Sequence, residues 1–288
     1  MRLVYRSKWG GQIDLTDNEF AWLIDVQGLT LATTEIASVI IGGIDGDFVN
    51  NIQAQPRTII MTLRIKEGVN VESAKRQLLS IIKLKQTGTL LWTQDNRTWS
   101  INGVIESIDM PRFVNGVSMQ VSLHCEVPFW EDVEDVLSDI SEAKNLHWFT
   151  TDPYDMLFFP QNGIPLGEYD TSRTRIAYNS GDVAVGMTIE VLAYKTVTNP
   201  IIRDQDGNSF GVGYESKPLI MFPGDRLVIN TRSGEKSVTL NGISQLNKIK
   251  PFSTWLQFQA GENEFSINSD DLETDNMVFN LIYKQRYI

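Results

Sequence analysis

Residues 56–92 constrain the fold most strongly, because they contain a strand, a helix and a second strand in immediate succession. Apolar side chains occupy every second position over residues 57–65, which is the alternation of a half-buried strand. After Asn70, a favourable N-cap residue, the apolar spacing changes to that of an amphipathic helix. We therefore predict a helix over residues 71–86 that covers one face of a sheet.

The rest of the chain is punctuated by turns and carries strand patterns, so we predict a mainly β protein. Its 288 residues suggest about two domains at ~100–200 residues per domain. We place an N-terminal, β-sandwich-like domain with the one packed helix at residues 1–130. An acidic, aromatic-rich connector follows at 131–171, and residues 172–288 form a C-terminal β-sandwich of the jelly-roll type.

The first domain has a clear hairpin signal in Asn115-Gly116, which lies between predicted strands over residues 99–110 and 117–125. Residues 36–41 are a further strand candidate, and the glycine-rich segment 42–47 after them is a predicted loop. A phosphate-binding loop would require a lysine and a following helix, and neither is present in this segment.

The connector starts with apolar residues at helical spacing, which predicts a short helix over residues 131–142. Two aromatic clusters follow at 146–149 and 154–160. Exposed aromatic clusters of this kind mark a packing surface, so we expect them to contact either the two domains or another subunit.

The second domain shows short strands separated by turns, which is typical of a sandwich or jelly roll. The predicted strands cover residues 174–178, 186–194, 219–222, 227–230, 237–240 and 277–283.

The charge and cysteine content exclude several classes of function. A net charge of −11 argues against specific nucleic-acid binding, which requires clustered lysine and arginine. The single cysteine, Cys125, allows no internal disulfide and falls at an apolar strand position. We find neither a signal peptide nor a membrane span, and expect a soluble protein made in the cytoplasm.

No motif for catalysis, metal binding or a cofactor is visible. The two histidines lack partners at metal-ligand spacing, so we predict no metal site and no catalytic residues. The adjacent carboxylates at 131–132 and 270–271 could act as an acid–base pair, but solvated turns explain both. Trp255 is either a core residue or an exposed ring that stacks on a sugar.

Taken together, the motifs resemble the distal tail (Dit) family of phages with long, non-contractile tails and of related prophage tail components. The resemblance covers nearly the whole chain and is carried by residues 22–29, 56–59, 76–79, 127–130, 223–231, 236–242, 260–265 and 282–287. The chain departs from the pattern in its long aromatic connector, which leaves room for an extra docking surface, and in Lys75-Arg76, where the family commonly has two arginines.

The resemblance implies a structural hub of a phage tail tip or baseplate, in which N-terminal domains form a ring, usually hexameric, at the end of the tail tube. A galectin-like C-terminal domain would hold a receptor-binding protein. The other expected partners are the tail tube protein, the tape measure and a tail-associated lysin or fibre protein, without a membrane or specific nucleic-acid contact. DNA can pass through such a ring.

The expected location is the virion tail, after synthesis in the bacterial host cytoplasm. Trp9, Trp22 and Phe48 are the ring-interface candidates, as aromatics beside loops of the ring-forming domain. Two alternatives stay open. One is a cell-wall carbohydrate-binding protein acting through the C-terminal sandwich, where Trp255 would contact sugar or a partner. The other is a glycan-degrading enzyme that uses two carboxylates.

Overall fold

The computed structural model describes residues 1–30, 32–40, 42–43, 45–110, 118–138, 143–144, 168–169, 174–271 and 277–288. The chain divides into two compact units, unit 1 with Met1–Glu134 and Arg286–Ile288, and unit 2 with Asp135–Gln285. Both are mainly β, which confirms the predicted fold class. No helix in the described ranges is long and apolar enough to cross a membrane.

Unit 1 is built on one nine-stranded sheet, with one helix packed against it. Its elements, numbered in chain order, are β1 (Arg2–Ser7), β2 (Gln12–Asp14), β3 (Ala21–Gln27), β4 (Thr34–Val39), β5 (Phe48–Ala54), β6 (Arg57–Ile65), α1 (Val71–Ile81), β7 (Thr87–Gln94), β8 (Arg97–Asp109), β9 (Ser118–Cys125), β10 (Trp130–Asp132) and β25 (Arg286–Tyr287). The main path of the sheet runs β2-β1-β7-β8-β9-β6-β3, so β2 and β3 are its two edges, while β4 and β5 form a separate pair.

The predicted alternation of β6 is confirmed, since Ile59, Met61 and Leu63 are all buried. They lie opposite Leu123, Val121 and Met119 of β9, and Leu78 of α1 packs into the same core. The predicted strands on both sides of Asn115-Gly116 are also present, whereas the turn itself lies outside the described residues.

The helix begins where the sequence predicts but ends earlier, at Ile81 rather than at residue 86. The Asn70 side chain accepts a hydrogen bond from the Ser73 N–H and so caps the first turn. After Ile81 the backbone of Lys85 and Gln86 bonds to Ile105 of β8 instead of continuing the helix. A tertiary contact therefore overrides a helix-compatible sequence.

The predicted helix over residues 131–142 is wrong in the part that the structure describes. Glu131 pairs with Ser100 and with Arg286, so β10 continues the sheet of unit 1, and β11 (Val136–Ser138) is also a strand. The last strand, β25, belongs to unit 1, although the sequence placed the whole C-terminus in the second domain. The aromatic clusters of the connector lie outside the described residues.

Unit 2 is a β-sandwich in which two sheets enclose one core. Its elements are β11, β12 (Ala143–Lys144), β13 (Glu168–Tyr169), β14 (Thr174–Asn179), β15 (Met187–Ala193), β16 (Val197–Thr198), β17 (Ile201–Asp204), β18 (Ser209–Gly211), β19 (Ile220–Met221), β20 (Arg226–Asn230), β21 (Ser237–Leu240), β22 (Ile243–Ser244), the 3₁₀ helix Leu246–Lys248, β23 (Gly261–Asn268) and β24 (Met277–Tyr283). The larger sheet has the order β11-β24-β15-β20-β21-β22 and the smaller one β14-β23-β17-β18. Ile189 and Leu281 from the first sheet share a core with Phe265 from the second, and the predicted strands of this domain are confirmed.

Candidate assembly surface

Strands β4 and β5 form a hairpin, which we call the arm, that lies apart from the sheet of unit 1. Within the described residues they pair only with each other, and every one of their residues is exposed. A two-stranded hairpin without a covered face is marginally stable in water at best. The arm therefore has the structure expected of a hairpin whose faces are buried by contact with another element or molecule.

Both faces of the arm carry large apolar side chains. Ile36 and Ile52 lie directly opposite each other and are 58% and 61% exposed. Val39 and Phe48 form another cross-strand pair beyond a register shift at Ala37/Ser38, where β5 has one extra residue, Asn50. Side chains alternate along β4, which has no extra residue, so the Val39–Phe48 pair lies on the face opposite to Ile36. Ile40, just beyond β4, is exposed as well.

The base of the arm is fixed by Arg57, the first residue of β6. Its Nη1 donates hydrogen bonds to the carbonyl oxygens of Leu29 (3.1 Å) and Thr30 (2.8 Å), which precede β4. The indole of Trp130 donates to the same Leu29 oxygen at 3.0 Å. Arg57 is buried, and burial lowers the pKa of its guanidinium. The guanidinium thus ties the segment entering the arm to the strand that leaves it.

Two backbone features complete this base. The Gln55 N–H donates to the Thr33 oxygen at 2.8 Å, so the chain enters and leaves the arm at one point. Gly28 has a φ of +80°, and a Cβ there would lie 2.4 Å from the Thr58 oxygen. Only glycine fits this close approach, because both the dihedral angle and the space exclude a side chain.

Two of the predicted interface residues, Trp9 and Trp22, lie at opposite edges of the sheet of unit 1. Trp9, 83% exposed, is in the turn between β1 and β2, and Trp22, 52% exposed, is on β3. The structure therefore does not bring these two side chains together. The third candidate, Phe48, is on the arm and is also exposed.

The edge at Trp22 is irregular. A register shift between Leu23 and Asp25 interrupts the pairing of β3 with β6, and Ile24 at the shift is exposed. Lys66 holds its ammonium 5.8 Å from the centroid of the Trp22 ring. A bulge and a charge near an edge strand are common protections against non-specific pairing.

Trp255 lies in unit 2, where it packs against the core. Its ring centroid is 4.7 Å from that of Phe210, and the Lys236 ammonium lies 5.4 Å from the Trp255 centroid. The half-buried ring thus already has neighbours on the protein, and a contact with sugar or with a partner stays a prediction.

Most of the arm was not predicted from the sequence. The strand around Ile36 was predicted, but the apolar residues Ile36 and Ile40 gave no sign of being exposed, and β5 was not predicted at all. The usable signal was Val49 and Ile52, which flank Asn50-Asn51 on the far side of the glycine-rich loop.

The adjacent carboxylates have structural partners. Glu131 forms an ion pair with Arg286 at 2.6 Å, and Asp132 accepts a hydrogen bond from the Tyr287 hydroxyl. Burial raises the pKa of Asp132. Asp270 and Asp271 accept hydrogen bonds from the Asn199 side chain and the Thr198 N–H. Over the described residues, no group of three or more His, Cys, Asp or Glu side chains is placed to hold a metal ion.

Residues 180–287 match the family model for the C-terminal domain of the siphovirus-type tail component. The crystal structure of SPP1 Dit (gp 19.1), described as a paradigm of the hub adsorption apparatus in phages infecting Gram-positive bacteria, is 12% identical, with 99% of each chain covered and a TM-score of 0.69. A baseplate structure of phage P2 in its activated conformation with calcium is also 12% identical, covering 99% of this chain and 97% of that one, with a TM-score of 0.49. No curated protein sequence matches the chain.

The family match thus assigns most of unit 2 to the C-terminal domain of siphovirus-type tail components. The likeness to SPP1 Dit extends the shared fold to the whole chain. Both findings support the classification in the distal tail (Dit) family that the sequence predicts.

Proposed function

We propose that this protein is the hub of a phage tail tip, where six copies form a ring at the distal end of the tail tube through their N-terminal units. The observation that carries this proposal is the arm, since its apolar side chains are exposed on both faces of an unsupported hairpin. A second copy of the same chain is the occupant that we infer for these faces.

The two edges of the sheet support a ring rather than a two-fold dimer. Trp9 and Trp22 are exposed at opposite edges, so each subunit carries two different candidate contact surfaces. A head-to-tail contact joins unlike surfaces and closes into a ring when the rotation permits. Trp9, Trp22 and Phe48 remain our candidates for these contacts.

The further partners that we propose are those that the resemblance to the distal tail family implies. We propose that the ring contacts the tail tube protein, the tape measure and a tail-associated lysin or fibre protein, and that unit 2 holds a receptor-binding protein. The net charge of −11 is compatible with a channel through which DNA passes without being retained. The proposed role is that of a scaffold, without catalysis.

Native mass spectrometry over a range of concentrations tests the ring. We expect a single closed species whose mass is a fixed multiple of the chain mass. A second protein, with residues 34–54 replaced by a short Gly-Ser turn, tests the arm, because Thr33 and Gln55 are already joined by a hydrogen bond. This protein should remain folded and be monomeric. If it assembles as the unmodified chain does, the arm is not the assembly element.

A further inference from the structure

A groove on unit 2 is lined by three segments that are distant in sequence. They are residues 214–216, residues 250–252 and Asp270, and the groove encloses about 740 Å³. Sites for small ligands usually measure ~300–1,000 Å³ and combine an apolar surface with a few polar groups in fixed positions. The groove has both.

Phe252 supplies the apolar surface. It lies in a turn closed by a hydrogen bond from the Ser253 N–H to the Lys250 oxygen at 3.2 Å, and its φ is +66°. With Pro251 before it, Phe252 occupies the position of a type II turn that normally holds glycine. Its side chain is nevertheless completely exposed. An aromatic ring at this position does not contribute to the core of unit 2.

The turn that presents Phe252 is firmly attached to the neighbouring backbone. Three backbone hydrogen bonds hold it, namely Gly213 N–H to the Lys248 oxygen (2.7 Å), Lys250 N–H to the Gly211 oxygen (2.9 Å) and Thr254 N–H to the Ser209 oxygen (2.8 Å). In addition, the Gly211 N–H donates to Ser253 Oγ at 3.1 Å. The turn that carries the exposed ring is therefore held at a defined place beside the groove.

The carboxylate of Asp270 is also held in place. Its Oδ2 accepts a hydrogen bond of 2.7 Å from Asn199 Nδ2, and the buried Asn199 is itself fixed because its Oδ1 accepts from the Leu219 N–H at 2.9 Å. Oδ1 of Asp270 has no hydrogen bond from any residue that the structure describes. An oriented acceptor thus faces the groove beside the phenylalanine.

The remaining lining residues add one acceptor and one donor. Glu215 is exposed at the tip of a tight turn, in which the backbone of Tyr214 and Lys217 exchanges two hydrogen bonds. Lys250 brings an ammonium group to the same groove. The two carboxylates and one ammonium leave a formal charge of −1, which disfavours an anionic ligand such as a phosphate-bearing polymer.

We propose that this groove binds a neutral oligosaccharide. The C–H face of a pyranose ring would stack on Phe252, the hydroxyl groups would donate to Glu215 and Asp270, and Lys250 would donate to a ring or hydroxyl oxygen. A protein partner could also cover an exposed phenylalanine, but the concave shape and the oriented Asp270 carboxylate beside the ring favour a ligand rich in hydroxyl groups. This proposal does not depend on ring assembly.

Saturation-transfer difference NMR on the full-length protein tests the proposal, with cellotetraose and chitotetraose as neutral probes and a glycerol-phosphate tetramer as anionic control. We expect saturation of the pyranose protons of at least one neutral probe at millimolar concentrations, and none of the glycerol-phosphate tetramer. Loss of one aromatic stacking contact corresponds to a roughly threefold to tenfold weaker affinity, which is the effect expected for Phe252→Ala.

Three variants make the result specific. Phe252→Gly should weaken binding as much as Phe252→Ala while preserving the fold, because glycine readily adopts the left-handed conformation. Asp270→Asn should also weaken binding. Phe222→Ala, which removes an exposed phenylalanine at another Pro-containing turn of unit 2, should leave binding unchanged.

Two outcomes overturn the proposal. One is the absence of transfer to both neutral probes, and the other is transfer that Phe252→Ala and Phe252→Gly leave unchanged. If these variants reduce the assembled mass in native mass spectrometry and neither sugar binds, then Phe252 is a protein contact and the saccharide site is wrong.

Discussion

We expect a measurable loss of assembly when Ile36 and Ile52 of the arm are both replaced by serine. These two side chains lie opposite each other on one face, and about 60% of each is exposed in the single chain. Complete burial of an isoleucine side chain stabilises by ~1.5–3 kcal/mol, so the exposed part of each can contribute about 1–2 kcal/mol at an interface. Both side chains together then contribute about 2–4 kcal/mol per contact. Replacing both by serine should therefore weaken each contact by roughly 30-fold to 700-fold.

The assay is native mass spectrometry or mass photometry over a dilution series, in which the midpoint of dissociation should move to higher concentration by this factor. The fold of the single chain should hardly change, because exposed substitutions usually alter stability by less than about 0.5 kcal/mol. Circular dichroism and thermal unfolding check this point.

The double variant Ile220→Ser and Ile243→Ser is the matched control, because both residues are exposed isoleucines of unit 2. It should assemble as the unmodified protein does. The reasoning is refuted if the arm variant dissociates at the original concentration, or if the control dissociates as readily as the arm variant.

Three further predictions concern single residues. Burial raises the pKa of Cys125 to about 12, although the neighbouring Arg57 opposes the shift, so its thiol should not react with a disulfide reagent near pH 8 until the protein unfolds. Because the unfolded thiol loses its proton first as the pH rises, this group stabilises the fold at neutral pH and its contribution falls between about pH 9 and 12; Cys125→Ala should flatten that part of the stability curve. Gly88→Ala would place a Cβ 2.3 Å from Tyr5 Oη, and should lower the free energy of unfolding by about 1–3 kcal/mol in denaturant titrations, with a cost that is not additive with Tyr5→Leu. Phe252→Gly should raise the free energy of unfolding by up to about 1 kcal/mol, because relief of the left-handed conformation (~1–2 kcal/mol) exceeds the entropy cost of glycine (~0.5–1 kcal/mol); a lower melting temperature would contradict this.

The core of each unit was largely predictable from local pattern. The alternation at Ile59, Met61 and Leu63 identifies the buried face of β6, and Asn70 marks the start of α1. These signals are local, since a strand exposes alternate side chains to opposite faces wherever it lies in the fold. The end of α1 was not predictable in the same way, because it depends on hydrogen bonds between Gln86 and Ile105.

The candidate sites were much less predictable than the core. Trp9, Trp22 and Phe48 were chosen as aromatics beside loops, and the sequence could not separate exposed rings from buried ones. Trp255 shows the difficulty, because its half-buried ring contacts Phe210, which is 45 positions away. Phe252 gave no signal, because a phenylalanine after a proline does not reveal a positive φ.

The sequence by itself determined the mainly β class, the strand–helix–strand stretch of unit 1, the strands of unit 2 and the resemblance to the distal tail family. Only the tertiary structure decided that Ile36 and Ile52 are exposed to solvent while Ile59 and Leu63 are buried. The physical reason is that period-two patterning specifies which side chains share a face of a strand. Whether that face is buried depends on residues that are distant in the sequence. For the arm, we infer that the covering residues belong to another subunit.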